Sequence, residues 1–188
     1  MRIISGEFKG KKLASFKGNA TRPTSDRVRE ALFNILGADI RNAAVLDLFA
    51  GTGALGLEAL SRGASNAVFI DASASAIEVI QKNAAACKPE NRARIMRWDI
   101  AKNLNCLQAG FAPFDLVFMD PPYNQNFIAP ALNNLMEADV LNRSARIIIE
   151  HAASEAIPQD IPTLHLADQR IYGKTLVSFL SVVLQEKF

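Results

Sequence analysis

The residues with the clearest chemical potential are Asp120-Pro121-Pro122-Tyr123, which follow the apolar run Phe114-Asp115-Leu116-Val117-Phe118-Met119. Two consecutive prolines hold the backbone extended and remove two amide donors. A rigid, acceptor-rich loop carrying an aromatic ring is left at the end of a predicted buried strand. Such a loop suits an amine attached to a planar ring, whose delocalised lone pair makes the nitrogen a weak nucleophile. The Asp120 carboxylate and the Pro121 carbonyl can accept its two N–H bonds and turn the lone pair towards an electrophile. Tyr123 can stack on the ring and fix its plane. Asp-Pro also opens ordinary turns, which is the plainer reading of the same residues.

A second constellation is Val45-Leu46-Asp47-Leu48-Phe49-Ala50-Gly51-Thr52-Gly53-Ala54-Leu55-Gly56, a strand, a glycine turn and a helix start. Gly51 and Gly53 permit a sharp turn and close approach of a ligand to the backbone. The segment satisfies G-x-G-x-x-G, so a dinucleotide-binding Rossmann domain is a standing alternative. Asp47, however, would repel a pyrophosphate and attract a cationic ammonium. S-adenosylmethionine carries that ammonium and no phosphate. Asp71, at the end of Val68-Phe69-Ile70-Asp71, can accept both ribose hydroxyls, as acids at this place also do for NAD. Asp99, after Ile95-Met96-Arg97-Trp98, can accept a hydrogen bond from an adenine amine, or else cap a loop or helix. The candidate cofactor set is therefore Asp47, Phe49, Gly51, Thr52, Gly53, Asp71 with Ala72, and Asp99 with Ile100. Trp98, beside a predicted buried strand, is read as a packing residue.

These residues need a frame that brings strand ends together. Apolar runs at 43–50, 67–70, 93–96, 114–119 and 145–149 alternate with helix-compatible segments at 54–62, 73–87 and 127–138. Near-continuous apolar strands separated by helices predict a Rossmann-like α/β fold, its mostly parallel sheet covered on both faces. Segment 101–110 receives no assignment. The tail segments Thr163–Tyr172 and Thr175–Leu184 flank Gly173-Lys174 and predict an antiparallel hairpin at one edge. Ahead of the sheet, Arg2–Ser5 and Lys11–Ala14 read as short strands turned by Gly6 and Gly10. Val28, Ala31, Leu32, Ile35 and Leu36 predict a helix that Gly37 can close. The expected organisation is an extension over residues 1–40 and a catalytic domain over 41–188.

Within 188 residues, 49% hydrophobic and 21% charged, the composition is that of a soluble globular domain. No run approaches the roughly 18 apolar residues of a membrane helix, and the start lacks a signal-peptide core. Cys87 and Cys106 form no C-x-x-C pair, so cytoplasmic thiols are expected rather than a disulfide or metal site. His151 and His165 belong to no catalytic constellation and read as structural residues. The net charge of +2 is unevenly spread. Residues 1–30 hold eight Lys and Arg against three Asp and Glu, 8 − 3 = +5, which leaves −3 for the remainder. A basic front suggests a polyanion, with Arg2, Lys9, Lys11, Lys12, Arg22 and Arg27 as candidate phosphate contacts; a solvated charged face is the simpler alternative.

Asp120-Pro121-Pro122-Tyr123 together with Asp47–Gly53 resembles the amino-methyltransferases of DNA and RNA. The segments Arg2-Ile3-Ile4-Ser5-Gly6, Lys9-Gly10-Lys11-Lys12-Leu13, Arg22–Phe33, Asp47–Gly53 and Tyr172-Gly173-Lys174-Thr175 narrow this to a resemblance to the RsmD family, in order and spacing along nearly the whole chain. That resemblance implies methylation of N2 of a guanine in 16S ribosomal RNA, with S-adenosylmethionine as cofactor and the small subunit or its precursor as partner. It also implies that Arg22–Asp26 borders the cofactor. Guanine N2 comes from the resemblance alone. Nothing in the sequence calls for a metal, and a monomer suffices. The rival readings are an adenine-N6 methyltransferase, an NAD-dependent oxidoreductase and a non-enzymatic RNA-binding factor.

Overall fold

Each apolar run becomes a strand, and the strands assemble in an order that the chain does not follow. The computed structural model describes residues 1–16, 26–108 and 110–183. Along them lie α1 (Asp26–Leu36), β1 (Ala44–Leu48), α2 (Ala54–Ser61), β2 (Asn66–Asp71), α3 (Ala74–Cys87), β3 (Ala93–Arg97), β4 (Phe114–Met119), α4 (Ile128–Glu137), β5 (Leu141–Ala152), β6 (Leu164–Tyr172) and β7 (Thr175–Val182). Among the described residues one seven-stranded sheet runs β3-β2-β1-β4-β5-β7-β6. The first five strands of that order are mutually parallel, and β7 lies antiparallel between β5 and β6. The predicted hairpin thus forms an edge, with β6 outermost.

Both faces of the sheet are covered. On one, Val45, Phe69, Phe118, Ile148 and Phe179 pack with Leu32 and Phe33 of α1, Leu57 and Leu60 of α2, and Ile80 of α3. On the other, Leu46, Val117, Ile147 and Leu180 pack with Ile128, Leu132 and Leu135 of α4 and with Leu104 and Leu107. Two-sided burial explains the near-continuous apolar runs of β1 and β4, each interrupted by one aspartate.

Three expectations need correction, and one unassigned segment is filled. β5 is longer than its apolar core, because Leu141–Ser144 and Glu150–Ala152 extend it at both ends. In the unassigned segment 101–110 a 3-10 turn forms at Asn105–Leu107. β3 is an edge strand with no fully buried residue. Trp98 beyond it is therefore exposed rather than packed, with its indole N–H donated to Asn103. Finally, Arg2–Ser5 and Lys11–Ala14 make one antiparallel bridge, Arg2 with Lys12, instead of two strands.

The last difference has a physical cause. The extension divides its amides: Ile3, Lys9, Gly10, Lys11 and Leu13 bond within it, whereas Ile4, Ser5, Glu7 and Phe8 turn to α2 and interrupt the ladder. Glu58, wholly buried, accepts from the Ile4 and Ser5 amides at 2.8 and 3.0 Å. Ser61 accepts from Glu7 through its carbonyl (2.7 Å) and from Phe8 through its hydroxyl (2.8 Å). The charge of Glu58 is met by Arg62 at 2.8 Å and by Arg29 at 3.8 Å. A buried carboxylate is tolerated when every side of it is so occupied. Gly6 is dictated by the same contact: at φ +82° its missing Cβ would lie 1.8 Å from the Ser61 carbonyl oxygen. Ile3, Phe8 and Leu13 then complete the core on this face.

Candidate active site at the carboxyl edge of the sheet

The site is built by register. Leu48 pairs with both Ile70 and Met119, and Met119 pairs with Ile149. The next residues along each strand, Asp71, Phe49, Asp120 and Glu150, therefore stand in a row at the carboxyl edge. Strand order reverses between β1 and β4, so the glycine turn and the Asp120–Tyr123 loop leave the sheet side by side. In open α/β sheets this is where ligands bind.

The glycine turn is held from both sides. Gly51 donates its amide to Asp71 Oδ2 (2.9 Å), and Gly53 caps α2 with a left-handed φ of +73°. Thr52 accepts through its carbonyl from Asn83 Nδ2 at 2.8 Å. Gly56 answers to packing: a Cβ there would lie 2.4 Å from the Phe69 ring. The third glycine of the G-x-G-x-x-G pattern therefore lets α2 settle on β2, without any pyrophosphate to explain it.

Asp47 lies inside β1, two residues before Phe49 on the rim, and is 1% exposed. Its Oδ2 accepts the Gly56 amide at 2.9 Å. Burial pushes the carboxyl up to about 8, against the lowering effect of the Gly56 amide, and the nearby Asp71 adds to the rise. A cationic ligand would offset that rise, whereas a phosphate would add to it. Asp71 ends β2 and also accepts from Ser73 N through Oδ1 (2.9 Å). Ala72 beside it is exposed, and its carbonyl accepts from Arg97 at 3.1 Å. Phe49 takes a left-handed φ of +56°, which turns its ring to the opposite face against Phe127, 5.7 Å between centroids. Asp99 is exposed, accepts the Ala101 amide at 3.2 Å and pairs with Lys102 at 3.4 Å. Ile100 is buried, and its carbonyl accepts from Asn134 of α4 at 2.8 Å. Two carboxylates at the glycine turn, Asp47 and Asp71, suit a cationic nucleoside better than a dinucleotide.

On the other loop Asp120 is half-buried, Pro121 buried, and Pro122 and Tyr123 exposed. The Tyr123 hydroxyl lies 3.1 Å from Glu150 Oε1 and 3.4 Å from Thr175 Oγ1. Of the basic candidates, Arg2, Lys9, Lys11, Lys12 and Arg27 are exposed, and Arg22 lies outside the described residues, as does most of the segment expected to border the cofactor. Arg29, one of the eight basic residues in the charge count, is instead fully buried and donates to the Arg2 carbonyl and to Asp26. Burial lowers its guanidinium pKa, with Glu58 and Asp26 opposing. His151 is buried between the Ala152 carbonyl (3.0 Å) and the Ser178 hydroxyl (2.8 Å), a structural place; His165 is exposed on β6.

Sequence reasoning missed three side chains. Glu150 and Thr175 reach Tyr123 from strands distant in sequence. Asn83, on a helix of otherwise unremarked polar residues, ties the extension to the glycine turn. Its amide accepts from Ala14 N (2.7 Å) and donates to the Ala14 and Thr52 carbonyls.

Sheet order, glycine turn and acidic strand ends define a Rossmann-like methyltransferase fold. The chain belongs to the RsmD family: the family model described as "Conserved hypothetical protein 95" matches residues 1–181. It is 36% identical over 174 residues to ribosomal RNA small subunit methyltransferase D of Escherichia coli K12, covering 93% of this chain and 86% of that one. The Haemophilus influenzae protein of the same name is 36% identical over 151 residues, covering 80% and 78%. The solved structure of Escherichia coli yhhF superposes with a TM-score of 0.85 at 34% identity, covering 98% of this chain and 99% of that one. A structure described as SMU.776 complexed with SAH shares the fold at 16% identity, TM-score 0.62, covering 83% and 48%.

Asp47→Asn provides a test with a defined sign. Unfolded, the carboxyl ionises near its ordinary value of 3.8; folded, it resists ionisation until about pH 8. The ligand-free protein should therefore lose stability as pH rises between those values. Asn keeps an acceptor for Gly56 and should remove that loss, so urea titrations should favour the variant increasingly towards pH 8. Calorimetry at fixed pH with S-adenosylmethionine tests Asp47 as a ligand residue: the substitution should weaken binding roughly tenfold or more. A pH-independent stability difference, or unchanged affinity, would contradict the assignment.

Proposed function

We propose that the protein transfers a methyl group from S-adenosylmethionine to the exocyclic N2 amine of a guanine in small-subunit ribosomal RNA, acting as a cytoplasmic monomer. The observation that carries this reading is the juxtaposition, at the strand-order reversal, of an acid-lined glycine turn and the Asp120–Tyr123 loop. The names of the Escherichia coli and Haemophilus influenzae relatives support small-subunit RNA as substrate. Guanine N2 follows the family resemblance.

Asp47, Phe49, Gly51, Thr52, Gly53, Asp71, Ala72, Asp99 and Ile100 would hold the cofactor, which supplies an electrophilic methyl on a sulfonium. Asp71 offers carboxylate oxygens to ribose hydroxyls, Asp99 offers one to an adenine amine, and Asp47 answers the ammonium. On the facing loop, Asp120 and the Pro121 carbonyl accept the two amine hydrogens. Pro122 keeps that loop extended, and Tyr123 stacks on the base. Rate enhancement on this scheme comes chiefly from orientation.

Residues 1–40 would form the RNA-facing extension, with Arg2, Lys9, Lys11, Lys12, Arg22 and Arg27 meeting phosphates. Replacing Lys9, Lys11 and Lys12 with Gln should weaken RNA binding and flatten its salt dependence, by about 0.7 in log–log slope for each single-strand phosphate no longer neutralised. S-adenosylmethionine affinity should stay as it was. An unchanged slope would remove these lysines from the interface.

The function itself is tested with tritiated methyl donor and small subunits lacking the modification. Wild-type protein should label the RNA, and Asp120→Ala should cut the rate at least ~100-fold while cofactor affinity holds. Wild-type rates in Asp120→Ala would overturn the reading.

A further inference from the structure

The Tyr172-Gly173-Lys174-Thr175 segment, whose residues carry part of the family resemblance, has no part in the scheme above. In the fold it is the tip of the β6–β7 hairpin, where Tyr172 and Thr175 are paired. That tip is fastened to the end of β5: Thr175 pairs with Ala152, and Ala153 donates its amide to the Lys174 carbonyl. The tip thereby stands beside the edge from which Asp120 and Tyr123 leave the sheet.

We propose that Glu150 and Thr175 are positioning residues that clamp the Tyr123 hydroxyl and so fix the ring as a platform for the target base, making the hairpin tip part of the active site. This inference rests on the base-methylation reading. Tyr123 is 39% exposed, an open ring on a loop, yet its far end is held by two side chains from two other strands. The phenol O–H donates to Glu150 Oε1 at 3.1 Å, which leaves its oxygen to accept from the Thr175 hydroxyl at 3.4 Å. Burial, with the charges of Glu150 and Asp120, pushes the phenol above its usual value against the Thr175 hydrogen bond. Tyr123 therefore remains a donor at physiological pH. An unanchored tyrosine would lose rotamer freedom each time a base stacked on it. A clamped ring has that order built in, which favours the aligned, productive geometry over unproductive poses.

The clamp makes an energetic prediction about pairs. Glu150→Ala should lower kcat for methyl transfer to small subunits about tenfold, with S-adenosylmethionine affinity unchanged, and Glu150→Gln, which keeps an acceptor, should recover most of it. Tyr123→Phe should lose a similar factor. In the Tyr123→Phe background, Glu150→Ala should then cost less than twofold, because the interaction it removes is already gone. Thr175→Val, which preserves strand shape, should show a smaller loss with the same non-additivity. Additive losses, or a Glu150→Ala effect confined to cofactor affinity, would overturn the clamp. Should Glu150→Ala not fold, Thr175→Val carries the same cycle with Tyr123→Phe. Tyrosine-labelled NMR of the protein without RNA separates the two levels of inference. Tyr123 resonances that move in Thr175→Val support the clamp whatever the substrate, and resonances that stay fixed overturn it. A wild-type protein that methylates no RNA refutes the functional reading instead.

Discussion

The pairing of β1 with β2 on one side and β4 on the other is the constraint on which the site depends. Parallel strands in fixed register end at fixed places, and Leu48 opposite both Ile70 and Met119 brings Phe49, Asp71 and Asp120 to one edge. A slip of one residue would exchange inward and outward side chains along every strand involved. Two-sided burial forbids such a slip, because it would carry Asp47 out of its contact with Gly56 and drive core residues into the wrong layer. The packing that stabilises the sheet thus also sets the distance between the two loops.

Around that edge the protein concentrates groups that are costly to hold. A carboxyl buried beneath the glycine turn, positive φ at Phe49, and a loop stripped of two amides all weaken local stability. The extension supplies much of the compensation. Its amides satisfy Glu58 and Ser61 on α2, its apolar residues complete one core, and Asn83 joins its far end to Thr52. The element proposed to meet RNA is therefore mechanically continuous with the turn proposed to hold the cofactor.

Much of this was legible because contiguous residues carried it. Asp120–Tyr123 and Asp47–Gly53 are local segments whose chemistry follows from their own composition, and α2, α3 and α4 begin and end within a residue or so of their predicted limits. What escaped depends on which strands become neighbours. Trp98 looked buried until β3 proved to be an edge; Glu150 and Thr175 come within reach of Tyr123 only because β4, β5 and β7 are adjacent. Arg29 was counted as surface charge, since composition does not distinguish a guanidinium locked beside Glu58 from one in solvent. Gly6 read as a simple turn residue, whereas a carbonyl of α2 occupies the space a side chain would need.

The proposed chemistry narrows to one atom on one base, and product identity tests it most directly. Small subunits from cells lacking this protein, methylated in vitro by the purified enzyme and digested to nucleosides, should yield a single new product on mass spectrometry: guanosine carrying one methyl on N2. Label recovered as N6-methyladenosine would contradict the guanine assignment, and label absent from RNA altogether would contradict base methylation.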